Sequence, residues 1–295
     1  VTIPAVAFSN FTKLTAVIIR STEMSALANV NAFTSTPIAR LAGAIYVPFN
    51  LVSTYRSDAM WKHFYIASVD DYPVTNFSTI TEDLDTLIAN IKSGSVSQYK
   101  LGDTKYIGKV NNVDTYMQLV GFNQDTTAAD ATVKAKTSWI VKNLCGTAPM
   151  NSTNTSVGGW AECALRKTTL PTILAALPEN LRNAIVPVTK TYYDGATYSV
   201  LSTTDSLWIP SYYEMYGNTT LNGNAMEAPN GGALYTEFFN SNETHVKYNE
   251  ATAANWWLRS SRPGVATDFV AVGSNGYSSF NVASNSYGLA FGFAI

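Results

Sequence analysis

Residues 256–295 read WWLRSSRPGVATDFVAVGSNGYSSFNVASNSYGLAFGFAI, and the reading of this stretch decides the fold. Residues 267–272 are dense in β-branched and aromatic side chains, and Asn275-Gly276 behind them is the strongest short hairpin signal a sequence offers. Residues 277–283 are expected to return antiparallel, Ser284-Asn285-Ser286 to turn again, and residues 287–295 to close a three-stranded meander. Along that last strand Tyr287, Leu289, Phe291, Phe293 and Ile295 share one face, while Gly288, Ala290, Gly292 and Ala294 share the other. Bare glycine weakens a strand interior and points to something bulky lying close over it. The indoles of Trp256 and Trp257 are the natural covers; a plain buried core strand accounts for the same pattern. In both cases the strand is central, and Trp256, Trp257, Gly288 and Gly292 are structural residues. Arg259 has two readings: a partner for a carboxylate or sugar acid, or a guanidinium stacked on an indole and bonded to loop carbonyls. The structural reading is preferred.

Composition bounds the class of protein. A chain of 295 residues holds one large domain or two ordinary ones, and 46% hydrophobic residues supply a real core. Only 14% are charged, against about 25% in a typical soluble domain. Ser, Thr, Asn and 17 tyrosines fill the gap. A surface of hydroxyls and amides suits extracellular adhesive or virion proteins, which bind through tyrosine and asparagine. The net charge is −2 with no basic run, so the clustered Lys and Arg that neutralise phosphates are missing and no nucleic-acid partner is expected. No apolar run approaches the ~20 residues of a membrane span, so no membrane insertion is expected. The chain opens on Val1, which leaves a removed initiator methionine and a removed leader equally open. Cys145 and Cys163 have neither C-x-x-C spacing nor a nearby histidine, which excludes a four-ligand zinc site and favours two reduced core thiols over a disulfide.

Upstream, β-rich runs at residues 14–19, 44–52 and 61–69 mark a first segment. Pro48 makes the second of them an edge or interrupted strand, and His63 reads as a packed or rim residue. Residues 81–92 give the clearest helix, with Thr79 or Thr81 as cap, acidic residues in the first turn, and Leu84, Leu87, Ile88 and Ile91 on one stripe. Gly94 stops it, and the linker Ser-Gly-Ser-Val-Ser places a boundary near residue 95, dividing the chain into residues 1–95 and 96–295. Beyond it, residues 99–123 read as a hairpin turning at Asn111-Asn112. Residues 136–144 lead into a short helix, residues 160–187 form a helical block, and residues 202–211 form a strand. Residues 216–254, rich in Gly, Asn and Thr with turn signals at Asn222-Gly223-Asn224 and Asn230-Gly231-Gly232, form a long loop of the kind that carries binding function.

The motifs WWLRS, the Asn-Gly hairpin and the terminal GLAFGF, together with LGDTKYIGKVNNVDTYMQLVGFNQD upstream, resemble a domain family of unknown function common in phage structural proteins and bacterial surface proteins. The resemblance covers roughly the last two hundred residues. It implies an α+β fold: a C-type-lectin-like C-terminal domain with a mixed sheet and short helices, preceded by a smaller strand-rich N-terminal domain. Relatives often carry a histidine where this chain has Gln124, so any chemistry of that histidine is absent here.

The residues themselves offer little chemistry. With only His63 and His245, far apart and in dissimilar contexts, a Ser–His–Asp or Cys–His triad has little to draw on, and His245 reads as a solvated loop residue. Calcium would need clustered carboxylates, for which Glu214, Asp268 and Asn275 are only loose candidates. No metal, cofactor or catalytic residue is expected. The preferred role is therefore a phage virion structural protein, whether a head-decoration, fibre or receptor-binding subunit at the virion surface. Residues 1–95 would attach it to copies of itself or to other virion proteins. Asn275, Tyr277, Asn285 and Tyr287 are the expected ligand-binding residues, facing a host-surface glycan or protein. The alternative is a bacterial surface adhesin or lectin, extracellular and glycan-binding, and a third is an enzyme acting on glycan or protein.

Overall fold

The computed structural model describes residues 1–69, 78–194, 197, 199–227, 233–249 and 252–295. The turn signal at Asn230-Gly231-Gly232 lies outside them. The architecture is mixed α+β, mostly strands with a few short helices, and the chain divides into two compact units, Val1–Thr75 and Asn76–Ile295.

In the first unit β1 (Ala16–Ile18), β2 (Ala44–Val47) and β3 (Ile66–Ser68) form a parallel sheet in that order. Parallel neighbours need crossovers, which short 3-10 turns and α1 (Val52–Ser57) supply. The strand expected to continue to residue 52 stops before Pro48, which has no N–H for a ladder. Because the proline falls beyond its end, β2 is the central strand rather than an edge. The core is aromatic: Phe33 meets Phe64 at 5.0 Å and Tyr55 meets Trp61 at 5.2 Å. The polar ends of Tyr55 and Trp61 both bond the backbone of Ser25. His63 is exposed at the rim.

The second unit begins ahead of helix α2 (Leu84–Ser93). Asp83 caps it by accepting the Thr86 N–H at 2.7 Å, and Gly94 ends it with φ 84°. Its stripe of Leu87, Ile88 and Ile91 joins the second unit's core, so the division falls before this helix rather than at the linker behind it. A hairpin of β4 (Thr104–Val110) and β5 (Val113–Phe122) turns on Asn111 and Asn112. Both have positive φ, the mirror-image turn that matches strand twist. Residues 137–141, expected to enter a helix, form strand β6 (Thr137–Val141) instead. All five of its residues are buried and β5 lies along one edge, so two-sided burial overrides a weak local preference.

After β7 (Thr147–Ala148) comes the expected helical block: α3 (Gly159–Glu162), a π-helical turn Leu165–Thr169, α4 (Leu170–Ala176) with Pro171 in its first turn, and α5 (Glu179–Ala184). An antiparallel pair β8 (Val188–Tyr193) and β9 (Val200–Asp205) follows. Helix α6 (Tyr212–Tyr216) has a capping box in which Ser211 and Glu214 satisfy each other's backbone N–H groups. Helix α7 (Asn242–His245) is a single turn.

The C-terminal stretch decides how these parts close. Strands β10 (Trp256–Ser261), β11 (Asp268–Val272) and β12 (Ser278–Val282) are antiparallel neighbours, and Gly276 completes the β11–β12 turn with φ 81°. The next strand, β13 (Tyr287–Gly288), does not extend the meander. It crosses to the far edge of β10, pairs with it in parallel, and takes β7 on its other side, giving the order β12-β11-β10-β13-β7. The chain then leaves that sheet, and β14 (Gly292–Ala294) joins a second one ordered β14-β6-β5-β4. Residues 289–295 are buried throughout, so one segment stitches two sheets instead of running along one.

The glycines are crowded as expected, but by other residues. A Cβ on Gly288 would stand 2.3 Å from Leu144, and one on Gly292 would stand 2.5 Å from Trp208. Trp256 and Trp257 are fully buried elsewhere, their indole N–H groups donating to the carbonyls of His245 and Ala148. Both covers come from segments remote in sequence, which the pattern of the strand itself cannot name. Cys145 and Cys163 are free and buried, and burial pushes both thiols up to about 12.

Candidate functional site

Under the two sheets lies a closed network of charge. Lys190, on the inward face of β8 between Val188 and Tyr192, donates to Asp125 Oδ1, to Glu214 Oε1 at 2.9 Å and to the Tyr235 hydroxyl at 2.9 Å. Its ammonium sits 3.5 Å from the Trp208 ring centroid. Arg259 on β10 donates to Glu214 Oε2 at 2.6 Å and to the carbonyls of Thr191 and Ile209. Loop carbonyls are thus its partners, as the structural reading holds. The cation over an indole, however, is Lys190, and Arg259 binds a carboxylate of the chain itself. Although burial opposes ionisation, Arg259 and Lys190 hold the Glu214 carboxyl down to about 2. Lys190, Asp125, Glu214 and Arg259 are each at most 2% exposed, which seals them from any substrate.

Beside Arg259 lies Glu227, fully buried, with Oε1 accepting from the Ser260 hydroxyl and Oε2 without a partner among the described residues. Burial pushes its carboxyl up to about 7. Lys247 is buried as well, donating to the carbonyls of Val141 and Lys142, and burial pulls its ammonium down to about 7. Among the described residues no group of three His, Cys, Asp or Glu is placed to hold a metal ion. The loose calcium candidates are occupied otherwise: Glu214 by two cations, and Asp268 by Arg262 and Thr267.

One open feature is a cleft of about 490 Å³ lined by Tyr216, Thr236, Phe239, Asn240, Ser241, Asn242 and His245. Helix α6 delivers Tyr216 and the turn α7 delivers His245. The imidazole expected in solvent is instead tucked between rings, 4.2 Å from Tyr216 and 5.8 Å from Phe239. A one-turn helix leaves its last side chain facing the unit, and two aromatic rings give an apolar seat there. Its Nε2 lies 3.3 Å from the Met215 carbonyl, while Nδ1 has no hydrogen-bond partner among the described residues. Burial holds the imidazole below its usual range, so it is neutral at neutral pH. Rings, a neutral imidazole and amides are recognition chemistry, with faces to stack on and adaptable donors and acceptors.

Two of the four expected binding residues flank Gly276, which touches residues of this cleft. The β11–β12 turn docks on it: Tyr216 donates its hydroxyl to the Gly276 carbonyl at 2.8 Å, and the Asn242 backbone presses against Gly276 so closely that no Cβ fits. Asn275 is exposed, its side chain accepting from the Tyr277 N–H, and Tyr277 is 62% exposed. Asn285 and Tyr287 lie at the opposite end of β12, about 17 Å away along a five-residue strand. There Tyr287 packs on Trp257 with ring centroids 4.8 Å apart, and its hydroxyl bonds Asn281 and Asn285. The four residues therefore occupy two ends of one hairpin. The cleft's lining residues all fall within residues 216–254, the stretch read as a binding loop, although none of them was singled out for binding. Of the buried network the sequence reading offered only Arg259 as a partner for a carboxylate, although a lysine at an inward strand position was a visible signal for Lys190.

A family model described as a domain of unknown function, DUF6273, matches residues 135–293, more than half of the chain. The matched span holds the whole cleft and every member of the buried network except Asp125. No curated protein and no solved structure matches the chain.

Proposed function

The chain belongs to the DUF6273 family of domains of unknown function, and we propose that it is a phage virion structural protein that displays a ligand-binding surface on a C-type-lectin-like scaffold. One observation carries the reading. An open concave surface is built of aromatic rings, amides, hydroxyls and the His245 imidazole, on the unit that also exposes Tyr277, while Lys190, Asp125, Glu214 and Arg259 are buried in its core. A surface so composed binds by stacking and adaptable hydrogen bonds rather than by turning over a substrate. The chemistry fits a glycan or a tyrosine- and asparagine-complementary protein on a host surface, and a bacterial adhesin would use the same face in the same way.

Attachment falls to the first unit. Phe49, Val6, Leu41 and Phe11 are all more than half exposed there, a large apolar showing for so small a unit, and a covering partner would remove it from water. Further copies of the chain or other virion proteins fill that role, which places the protein at a virion surface or, in the adhesin reading, at a cell surface.

The test applies the full-length chain to arrayed glycans and to intact bacterial cells, and compares it with a double variant Asn275→Ala/Tyr277→Ala. Loss of binding with an unchanged melting temperature is the expected result. Equal binding by the variant, or no binding by the wild type to any glycan or cell, would sink the reading. Co-purification with phage particles separates a virion subunit from an adhesin.

A further inference from the structure

We propose that Lys190 and Asp125 condense with each other, forming an intramolecular amide cross-link in the core of the second unit. Lys190 Nζ is in direct contact with Asp125 Oδ1, and each residue is 1% exposed. The pair joins β8 to the loop that follows β5, 65 residues apart in sequence. Lys190 is held by its strand, and Asp125, though in a loop, has its carboxylate held by the Ser138 and Tyr235 hydroxyls.

Three features make this contact reactive rather than merely paired. The first is dryness. Nζ faces the Trp208 and Tyr235 rings at 3.5 and 5.4 Å from their centroids, and with both residues 1% exposed little water reaches the pair. The neutral amine is the nucleophile. The second is a proton carrier. Glu214 Oε1 lies 2.9 Å from Nζ while Arg259 holds the other carboxylate oxygen, so one ionised oxygen is placed to take a proton from that nitrogen. The third is a pair of donors on the carboxyl group. The Tyr235 hydroxyl donates to Asp125 Oδ2 at 2.8 Å and the Ser138 hydroxyl at 2.6 Å, where negative charge gathers in a tetrahedral intermediate.

The step balances without any co-reactant. A proton passes from the Lys190 ammonium to the Asp125 carboxylate, and the free amine attacks Cγ to form the C–N bond. Glu214 takes a proton from that nitrogen and hands it to Oδ1, which leaves as water when the C–O bond breaks. Ammonium plus carboxylate becomes amide plus one water. Charge balances too. The network holds two cations and two ionised carboxylates, and condensation removes one of each, leaving Arg259 paired with Glu214 at 2.6 Å. A cation and an anion whose burial is costly are replaced by a neutral amide, and the same sealed walls keep out the water that would hydrolyse it. A covalent tie of this kind suits a protein that must hold its shape under load, whatever its cleft binds.

Intact-mass spectrometry of the purified full-length chain under denaturing conditions tests the proposal. The expected mass is that of the sequence less one water, and digestion should yield a branched peptide joining the segments of Lys190 and Asp125. Asp125→Asn should give the same product by loss of one ammonia, whereas Lys190→Arg and Glu214→Gln should run at their full sequence masses. A wild-type chain at its full sequence mass, with Lys190 and Asp125 recovered in separate linear peptides, overturns the cross-link. That measurement stands even where a variant fails to fold.

Discussion

Gly292 and Trp208 are locked face to face. Each donates its backbone N–H to the other's carbonyl, and the six-membered ring of the indole lies where a Cβ of Gly292 would be. The Trp139 carbonyl closes the third side, 2.8 Å from the same point. Since backbone cannot swing away as a long side chain can, Gly292→Ala should destabilise the protein by about 3 kcal/mol, the upper range for overpacking a core. A shift of the urea midpoint to lower concentration, with the slope unchanged, checks this. An unshifted midpoint would show that the two sheets can part there.

The thiols give a second expectation. Cys145 and Cys163 are free, buried and pushed up to about 12, so neither is a thiolate near neutral pH. Replacing both with Ala should cost roughly 2 kcal/mol through small cavities and leave the fold intact. Unfolding of the wild type should ignore reductant, and iodoacetamide should label both cysteines only as the chain opens. Rapid labelling of the native protein would contradict their burial.

Glu227 sets a pH dependence whose sign can be worked out. Its carboxyl titrates at about 7 in the fold and at 4.5 when exposed. Between those values the folded chain binds the proton that the unfolded chain releases, so this contribution is complete below pH 4.5 and is lost as pH rises through 7. Glu227→Gln keeps an acceptor for Ser260 and removes the ionisation. Melting temperatures across this range should fall less steeply with rising pH in the variant. Parallel profiles would show that Glu227 does not titrate in the window.

Tyr277 and Tyr287 should separate binding from stability. Tyr277 is exposed, so Tyr277→Ala should change stability by no more than about 0.5 kcal/mol. Tyr287→Ala removes a ring from Trp257 and a hydroxyl from two asparagines, and should cost about 2 kcal/mol. Thermal melts of both variants decide it. Equal effects would mean that the two ends of the hairpin are not the different environments described.

The first unit's exposed apolar residues predict self-association or docking. Phe49 is 75% exposed, and a Leu41→Ser/Phe49→Ser variant of the full chain should show a smaller species by light scattering, or lose its hold on particles. An unchanged size and unchanged particle association would remove this face from the assembly.

What the sequence determined by itself is local. Asn111-Asn112 and Gly276 specify their turns because positive φ costs least at asparagine and glycine, and the Leu87, Ile88, Ile91 stripe specifies α2 because its period is helical. The burial of Trp256 and Trp257, the crowding at Gly288 and Gly292, and the family itself were legible in the same way. Tertiary structure decided everything that depends on segments meeting from afar. The break of residues 287–295 into two strands of two sheets, with Leu144 and Trp208 over the glycines, is invisible to a pattern of period two, because that stretch is buried on both faces. Likewise Asp125, Lys190, Glu214, Tyr235 and Arg259 are scattered along the chain, and only the fold brings them together. Arg259 and Glu214 can stay charged in the core because each finds its counter-charge there, and no single segment of sequence carries that information.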